Sequence, residues 1–501
     1  MPNYSATAHR SRLTTAIIAA AALCGCPGAG FAQTNDAPPP DQPAAAEERT
    51  AATVASPETA AKSPPAVPRK APRSRAWGVR LETEPPSYVK PLSEHGLKGF
   101  EDVTWLDFGL EHTTRYEIRD DDYRRNALVY DDLFLMRTRM FIGVHDVFDP
   151  IRFAFEFIDA RQAGSRFPDG NGEVDEADVL QAYGELYFKD ALGPGQPLRF
   201  QVGRMSLDYV DRRLVSRNRW RNTVNAFDGF RMQLGQPTSD WQVDFFAWMP
   251  VERRLTRPDV PDEERWFYGL VGYWRGWANA ITLEPYYYVL DEDRKDLTRA
   301  DREIHTLGIR GFGLIGDSGF DYDFDAAFQF GKDGDRKHRA YALFGELGYT
   351  FDHPWKPRLS AAGMYATGDR RPNDGVSERF DRLFAPNHCL SFTDYVAWQN
   401  VISPKLRLEL QPSKKLRLDA DYGAYWLASD SDAWVVPGRR DPQGHSGDFV
   451  GQVLEARARY ALDKHADLEI GYAYFIPGTF VENTGPADDS DLLYVIVTLT
   501  F

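Results

Sequence analysis

Cysteine is nearly absent from this chain of 501 residues, which contains three. Cys24 and Cys26 lie in an N-terminal segment that we expect to be removed, which leaves Cys389 alone. A single cysteine cannot form an internal disulfide, so a disulfide scaffold and a cysteine-ligated metal site are both excluded. We expect Cys389 to be inert.

The motifs of common soluble enzymes are also missing. The ten histidines form no H-E-x-x-H pair, and the sequence has no G-x-S-x-G elbow and no G-x-x-x-x-G-K phosphate loop. The glycines from Gly311 to Gly316 have no βαβ unit around them and predict a strand that runs into a turn. We expect no catalytic residue and no cofactor. A membrane-embedded enzyme acting on carbohydrate or lipid is the alternative from a different class.

An acidic run from Asp169 to Asp175 superficially resembles a calcium loop. The position that requires glycine holds Val174, and the twelfth position holds Leu180 instead of glutamate. The run therefore predicts a solvated acidic loop, and we expect no metal site.

Positive charge is in deficit, with 59 Lys and Arg against 74 Asp and Glu and a formal net charge of −15. Such a balance disfavours nucleic acid as a partner. Beyond the N-terminus the chain also lacks the 18 or more consecutive apolar residues of a spanning helix. If it spans a membrane, it does so with strands.

The N-terminus resembles a secretory signal. Arg10 and Arg12 precede an apolar run over residues 13–23, and small residues end at Ala32, after which we expect cleavage. The alternative is a lipoprotein cleavage that would leave a lipidated Cys26.

Three regions are therefore expected. Residues 1–32 form the signal peptide, and residues 33–99 form a disordered leader rich in proline and alanine. Residues 100–501 form the folded part.

The chain has many aromatic residues, 13% of the total, although 27% of its residues are charged. From about residue 101 onward, apolar and polar residues alternate in short segments, as in strands exposed to two different media. The last segment is the clearest example: Leu493 to Phe501 has apolar residues at every second position. A C-terminal strand that ends in phenylalanine is typical of outer-membrane barrels and serves as their assembly signal.

We count about eighteen such segments, an even number as bacterial barrels require. They start near Thr104, Asp132, Pro150, Val179, Leu198, Ala226, Ser239, Arg265, Asn279, Glu303, Gly319, Arg339, Arg358, Asp394, Lys415, Val450, Ala466 and Asp491. Long and short connections alternate strictly along this series, which predicts a transmembrane antiparallel β-barrel with short periplasmic turns and long extracellular loops. A soluble β-sandwich has no reason to separate loop lengths in this way.

Several aromatic residues are candidates for the girdles that mark the two membrane interfaces, with ordinary core packing as the alternative for each. They are Trp274, Trp277, Tyr286, Tyr287, Tyr288, Tyr472 and Tyr474.

In each strand every second residue belongs to a polar face, and this face is rich in arginine interleaved with carboxylates. We expect these side chains to line the lumen, where they would narrow the pore and bias its electric field. The pore-lining candidates are Arg137, Arg139, Arg152, Glu185, Arg199, Arg204, Arg231, Arg407, Glu409, Arg417, Asp419, Glu455, Arg457 and Arg459. Arginine suits a polyuronate because its planar fork pairs with a carboxylate at two points; mutual pairing across a wet wall is the alternative.

Two stretches resemble the alginate-export porin family. In the first, a strand that ends in Gly203-Arg204 leads through an arginine-rich loop to the returning segment Phe227-Asp228-Gly229-Phe230-Arg231. In the second, Ala366-Thr367-Gly368-Asp369 leads into an external loop with Phe380-Asp381-Arg382-Leu383-Phe384 and back to Asn400.

The resemblance spans residues 100–501 and implies a passive outer-membrane channel, not an enzyme, that passes an anionic, alginate-like polysaccharide. It also implies periplasmic polysaccharide-export proteins as partners, besides outer-membrane lipid, the saccharide, and the barrel-assembly machinery at Phe501. The alternative within the same class is a general or nutrient-uptake porin.

Overall fold

The computed structural model describes residues 82–125, 129–293 and 300–501. The predicted signal peptide, residues 1–32, and the leader up to residue 81 lie outside the described residues. Cleavage after Ala32 and lipidation of Cys26 therefore stay predictions.

Eighteen antiparallel strands form a closed barrel. They are β1 Leu106–Asp120, β2 Asp131–Phe148, β3 Ile151–Ala163, β4 Asp175–Phe188, β5 Leu198–Met205, β6 Phe227–Gly235, β7 Trp241–Glu252, β8 Arg265–Trp274, β9 Thr282–Glu292, β10 Arg302–Leu314, β11 Phe320–Asp333, β12 Arg336–Thr350, β13 Arg358–Ala366, β14 Val401–Leu410, β15 Leu416–Trp426, β16 Phe449–Ala461, β17 Ala466–Pro477 and β18 Ser490–Thr500. Each pairs with its neighbours in sequence, and β18 pairs with β1.

The remaining elements are small. Two-residue strands occur at Lys90–Pro91, Val260–Pro261 and Val376–Ser377, with 3₁₀ turns at Leu92–His95 and Tyr123–Arg125. The α-helix α1 covers Thr479–Thr484. Among the residues that the structure describes, no helix is long and apolar enough to cross a membrane.

The apolar parity of the strands faces outward, as predicted. Val202, Leu307 and Leu454 are 63%, 56% and 52% exposed, whereas the residues next to them in sequence point to the other face of the sheet. An apolar surface of this extent on a folded chain is the face that contacts lipid in a barrel.

Connection lengths differ between the two ends of the barrel. The long-loop end carries 121–130, 164–174, 206–226, 253–264, 293–301, 367–400, 427–448 and 478–489. The short-turn end carries 149–150, 189–197, 236–240, 275–281, 315–319, 351–357, 411–415 and 462–465. The prediction of strict alternation is wrong at one place, because β11 and β12 are joined at the long-loop end by residues 334–335 alone, with Gly334 at φ 61° closing the turn.

All the predicted strands exist, and most begin within a few residues of the expected position. The strand expected near Asp394 begins at Val401. Asp394 instead belongs to a long loop, where it has a φ of 67° and is 2% exposed. The predicted turn after Gly311 is confirmed, since β10 ends at Leu314 and Gly316 follows with φ 55°.

The disordered leader was predicted to extend to residue 99, but the structure places residues 82–99 against the barrel. Lys90 and Pro91 pair with Phe108 and Asp107 of β1. This edge is available because β18 ends before it reaches that part of β1. The predicted boundary is therefore too late.

Aromatic side chains are divided between the two faces. Trp274 and Trp277 are exposed, as expected of a girdle. Tyr286 and Tyr288 are buried on the inner face, in one cluster with Phe246, whereas Tyr287 between them is 36% exposed. The girdle prediction is wrong for Tyr286 and Tyr288, because alternation sends every second residue of Tyr286-Tyr287-Tyr288 inward.

Candidate functional site

The candidate site is the interior of the barrel. With the exception of Arg204, the charged residues predicted to line it belong to the inward parity of their strands. Arg139 and Glu455, for example, are 1% and 3% exposed, and their sequence neighbours Met140 and Leu454 are on the outward parity. Alternation along the strands therefore places these charged side chains on the face opposite the exposed apolar residues.

Arg204 does not line the interior. It shares its parity on β5 with the exposed Val202 and pairs across the strands with Asp228, at 2.7 Å between Nε and Oδ1. It also donates to the carbonyls of Val179 and Asp259. Arg199 does face inward, and because five positions separate the two arginines, a regular strand cannot direct both to one face.

The short-turn half of β14 to β17 is ionic and partly accessible. Arg457 lies 3.1 Å from Asp419 and 3.6 Å from Glu469, and Arg459 lies 3.2 Å and 3.9 Å from the same two carboxylates. Arg417 is directly opposite Arg459 across β15 and β16. Because the side chain of Arg459 keeps 28% of its surface exposed, this part of the wall can contact a passing solute.

Sequence reasoning missed several cations on the inner face: Arg115, Arg119, Arg310, Arg358 and Lys405. The alternation along β1 contains the signal for Arg115 and Arg119, because Arg115, Glu117 and Arg119 occupy every second position of this strand. Arg310 and Arg358 each meet three carboxylates.

Carboxylates dominate the inner face of β9 to β12. Asp321, Asp323 and Asp325 alternate along β11 and are all buried, with Glu284 on β9 and Glu346 on β12. On β1, β2 and β16, by contrast, inward arginines such as Arg115, Arg139 and Arg457 alternate with carboxylates. The interior is therefore electrically uneven around its circumference.

The arginine-rich loop, residues 206–226, folds into the barrel. Tyr209 donates to Asp244 of β7 at 2.9 Å, and the wall residue Arg137 donates to the carbonyl of Arg219 at 3.1 Å. Asp211, paired with Arg213, also lies 3.5 Å from Arg310 of the wall. The wall arginines Arg137 and Arg310 thus hold this loop in place.

The loop 367–400, predicted to be external, folds inward as well. Ser391 donates to the carboxylate of Glu455 at 2.6 Å, and Arg302 lies 2.6 Å from Asp381. Phe380, Tyr395 and Trp398 are buried in the aromatic interior.

The two loops also contact each other. The amide of Phe384 donates to the carbonyl of Leu214 at 2.9 Å, and Arg221 lies 2.6 Å from Asp394. The loops 206–226 and 367–400, which belong to the stretches that carry the family resemblance, therefore occupy the interior of the barrel and together narrow its lumen.

The acidic run is less solvated than predicted. Asp175 is 2% exposed, and its carboxylate lies with those of Asp178 and Asp259 in a group whose oxygens are within 4.8 Å of one another. Glu173 pairs with Arg221 at 3.5 Å. The run borders the inserted loop 206–226, which covers it from solvent.

The chain is similar in sequence to a known protein family. The model of the alginate export family matches residues 104–495. No curated protein is similar in sequence at a significant level.

Solved structures share the fold. OccK2 (OpdF) of Pseudomonas aeruginosa has a TM-score of 0.55 at 12% identity, over 80% of this chain and 98% of that one. Acinetobacter baumannii OccAB1 has a TM-score of 0.54 at 13% identity, over 79% and 97%. The Pseudomonas aeruginosa outer membrane protein OprD has a TM-score of 0.52 at 11% identity, over 79% and 93%.

Proposed function

Because this chain belongs to the alginate-export family of outer-membrane channels, we propose that it passes an anionic, alginate-like saccharide through its lumen. The observation that carries the proposal is the family match over nearly the whole barrel. Cleavage of a signal peptide, contact with periplasmic export proteins and recognition of Phe501 by the assembly machinery belong to the same proposal.

The chemistry of the short-turn half supports an anionic solute. Arg417, Arg457 and Arg459 bring three guanidinium groups together on β15 and β16, with Asp419 and Glu469 as counter-charges. Guanidinium groups stay charged at all physiological pH values and can pair with a carboxylate at two points. A saccharide carboxylate that moves along this wall would exchange one partner for the next.

A second candidate is a porin for other small solutes. The carboxylates on β9 to β12, among them Asp321, Asp323 and Asp325, favour this function. Facing walls of opposite charge can orient a dipolar or zwitterionic solute and do not require a polyanion.

Selectivity in planar bilayers tests the proposal. The reversal potential across a KCl gradient should show anion preference, and a tri-uronate should block single channels at lower concentration than a neutral trisaccharide of equal size. A pore that prefers cations, or that is blocked equally by both sugars, overturns the anionic-saccharide function and favours the second candidate. Cleavage of the tri-uronate or of phospholipid by the purified protein would instead establish an enzyme.

A further inference from the structure

The N-terminal segment 82–91 enters the barrel from its short-turn end. Lys90 and Pro91 extend the sheet beside β1, at the part of the strand that β18 leaves unpaired. Tyr88 and Val89 then pack directly on Gly109, where an added Cβ would lie 2.8 Å from the Tyr88 ring. Glycine at this position therefore lets the segment turn inward against the wall.

At the inner end of this segment, Glu82 meets three arginines. Its carboxylate lies 3.3 Å from Arg139 and 3.1 Å from Arg219, and it is also paired with Arg217. Arg139 belongs to the wall strand β2, whereas Arg217 and Arg219 belong to the inserted loop. The side chain of Glu82 is 4% exposed, so the carboxylate is enclosed by cations from two separate elements.

Glu84 repeats the arrangement two residues later. Its carboxylate accepts a hydrogen bond from Arg231 of β6 at 2.6 Å. The hydroxyl of Tyr88 donates to Glu156 at 3.0 Å, which fixes the same segment on its other side. The two acidic side chains at the inner end of the segment are thus each bound by arginine.

The electrostatics show that Glu82 is bound as an anion. Burial would by itself raise the pKa of this carboxyl group, but Arg139, Arg219 and Arg217 together hold the pKa well below its ordinary value. A carboxylate removed from water in this way needs partners of opposite charge that are already in position.

We propose that Arg139, Arg217, Arg219 and Arg231 form a binding site for successive carboxylates of a linear acidic saccharide, and that residues 82–89 occupy this site as a tethered competitor. The inference rests on the proposed function, since it names the part of the lumen where the saccharide binds. Glu82 and Glu84 are two positions apart in the chain and each meets an arginine, so the segment presents two successive carboxylates, as an acidic polymer does.

Tethering makes the competitor effective. An occupant joined to the site by a short linker acts at an effective concentration in roughly the millimolar range. A saccharide must therefore exceed this level locally, or be delivered at the short-turn mouth, before it displaces the segment. The segment keeps the site filled until such a ligand arrives.

The test compares Glu82→Gln/Glu84→Gln with wild type and with Glu94→Gln, a control at an exposed position in the turn Leu92–His95 that follows the segment. Each protein is inserted in planar bilayers, and a tri-uronate is added from the short-turn side. The double variant should be blocked at a concentration about tenfold lower, because charge-assisted hydrogen bonds of the competitor are lost. The control should match wild type.

A second variant separates loss of competition from general loosening. Arg219→Gln, whose side chain is 37% exposed, should raise the blocking concentration clearly in the double variant. The increase should be smaller in wild type, because there the loss of Arg219 also weakens the binding of the competitor Glu82. Unchanged block in Glu82→Gln/Glu84→Gln, with anion preference intact, overturns the tethered competitor and leaves the proposed function standing. Loss of anion preference in wild type would instead remove the proposed function itself.

Discussion

Phe501 and Leu110 are joined by two backbone hydrogen bonds, at 2.8 Å from the amide of Phe501 and at 2.9 Å from the amide of Leu110. They extend the seam at which β18 closes the barrel against β1. The ring of Phe501 stacks on His95 with 5.2 Å between the ring centroids. The last residue thus contributes to closure as well as to the predicted assembly signal.

Deletion of Phe501 should lower the amount of protein assembled in the outer membrane, because the predicted signal residue and its two hydrogen bonds to Leu110 are lost. Heat-modifiable mobility on gels measures the folded fraction, and membrane fractionation measures the amount inserted. Phe501→Trp is the control, since it keeps the aromatic ring and the backbone bonds and should assemble like wild type. Normal levels of the truncated protein would contradict the prediction.

Arginine on the lipid face should destabilise the barrel according to depth. Leu307 is in the middle of β10 and 56% exposed, so Leu307→Arg should cost about 2–4 kcal/mol of unfolding free energy. Leu418 is near the short-turn end of β15, and Leu418→Arg should cost about 1 kcal/mol or less. Denaturant titration in lipid vesicles measures both.

Arg417→Ala is the control on the opposite face of the same strand and should fold normally. A loss of unfolding free energy in Arg417→Ala as large as that in Leu307→Arg would mean that the two faces have been exchanged.

Alternation predicted the barrel well, because the two faces of each strand meet different media and selection acts on every second residue. It did not predict what fills the barrel. Loops 206–226 and 367–400 are long connections, which the sequence pattern predicts to be external. Their burial depends on partners far away in the chain, such as Glu455 for Ser391 and Arg302 for Asp381, which local patterns do not contain.

Charge reversal at the short-turn wall should change ion selectivity. Arg417→Glu and Arg459→Glu place carboxylates beside the passage, and the combined variant should shift the reversal potential toward cation preference. Screening at physiological salt limits each charge to about 8 Å, so the net charge of the chain has less influence than groups at the wall. Arg371→Glu is the control, because its side chain is 78% exposed on a loop. A larger shift in the control would place the selective element outside the barrel.

Arg137→Glu and Arg152→Glu should behave differently from each other. Arg137 is 5% exposed and donates to the carbonyls of Arg219 and Arg221, so its reversal should release the inserted loop and raise single-channel conductance. Arg152 is 26% exposed near the short-turn end, and its reversal should alter selectivity with little change in conductance. Single-channel recordings distinguish the two effects, and identical traces would contradict the assignment.

Asp211 should hold the loop 206–226 in place over the whole neutral and mildly acidic range. Burial would raise its pKa, but Arg213 and Arg310 hold the pKa below the ordinary value of about 3.9. A carboxylate with a depressed folded pKa contributes stability that is present above the unfolded pKa and is lost as the pH falls through the folded one. The contribution of the Asp211 carboxylate to holding the loop in the barrel should therefore be the same at pH 7 and pH 5. Asp211→Asn should weaken the binding of the loop by about 1–3 kcal/mol, since the arginines then bond to a neutral amide instead of a carboxylate.

The barrel itself should still fold in Asp211→Asn, because Arg310 remains paired with Glu284 and Asp323 at 2.8 Å and 2.6 Å. In single-channel recordings the variant should show frequent transitions to a larger conductance at pH 7, while wild type and the exposed-loop control Arg371→Gln stay quiet at both pH values. Quiet recordings from Asp211→Asn, or new transitions in wild type between pH 7 and pH 5, would show that other contacts hold the loop.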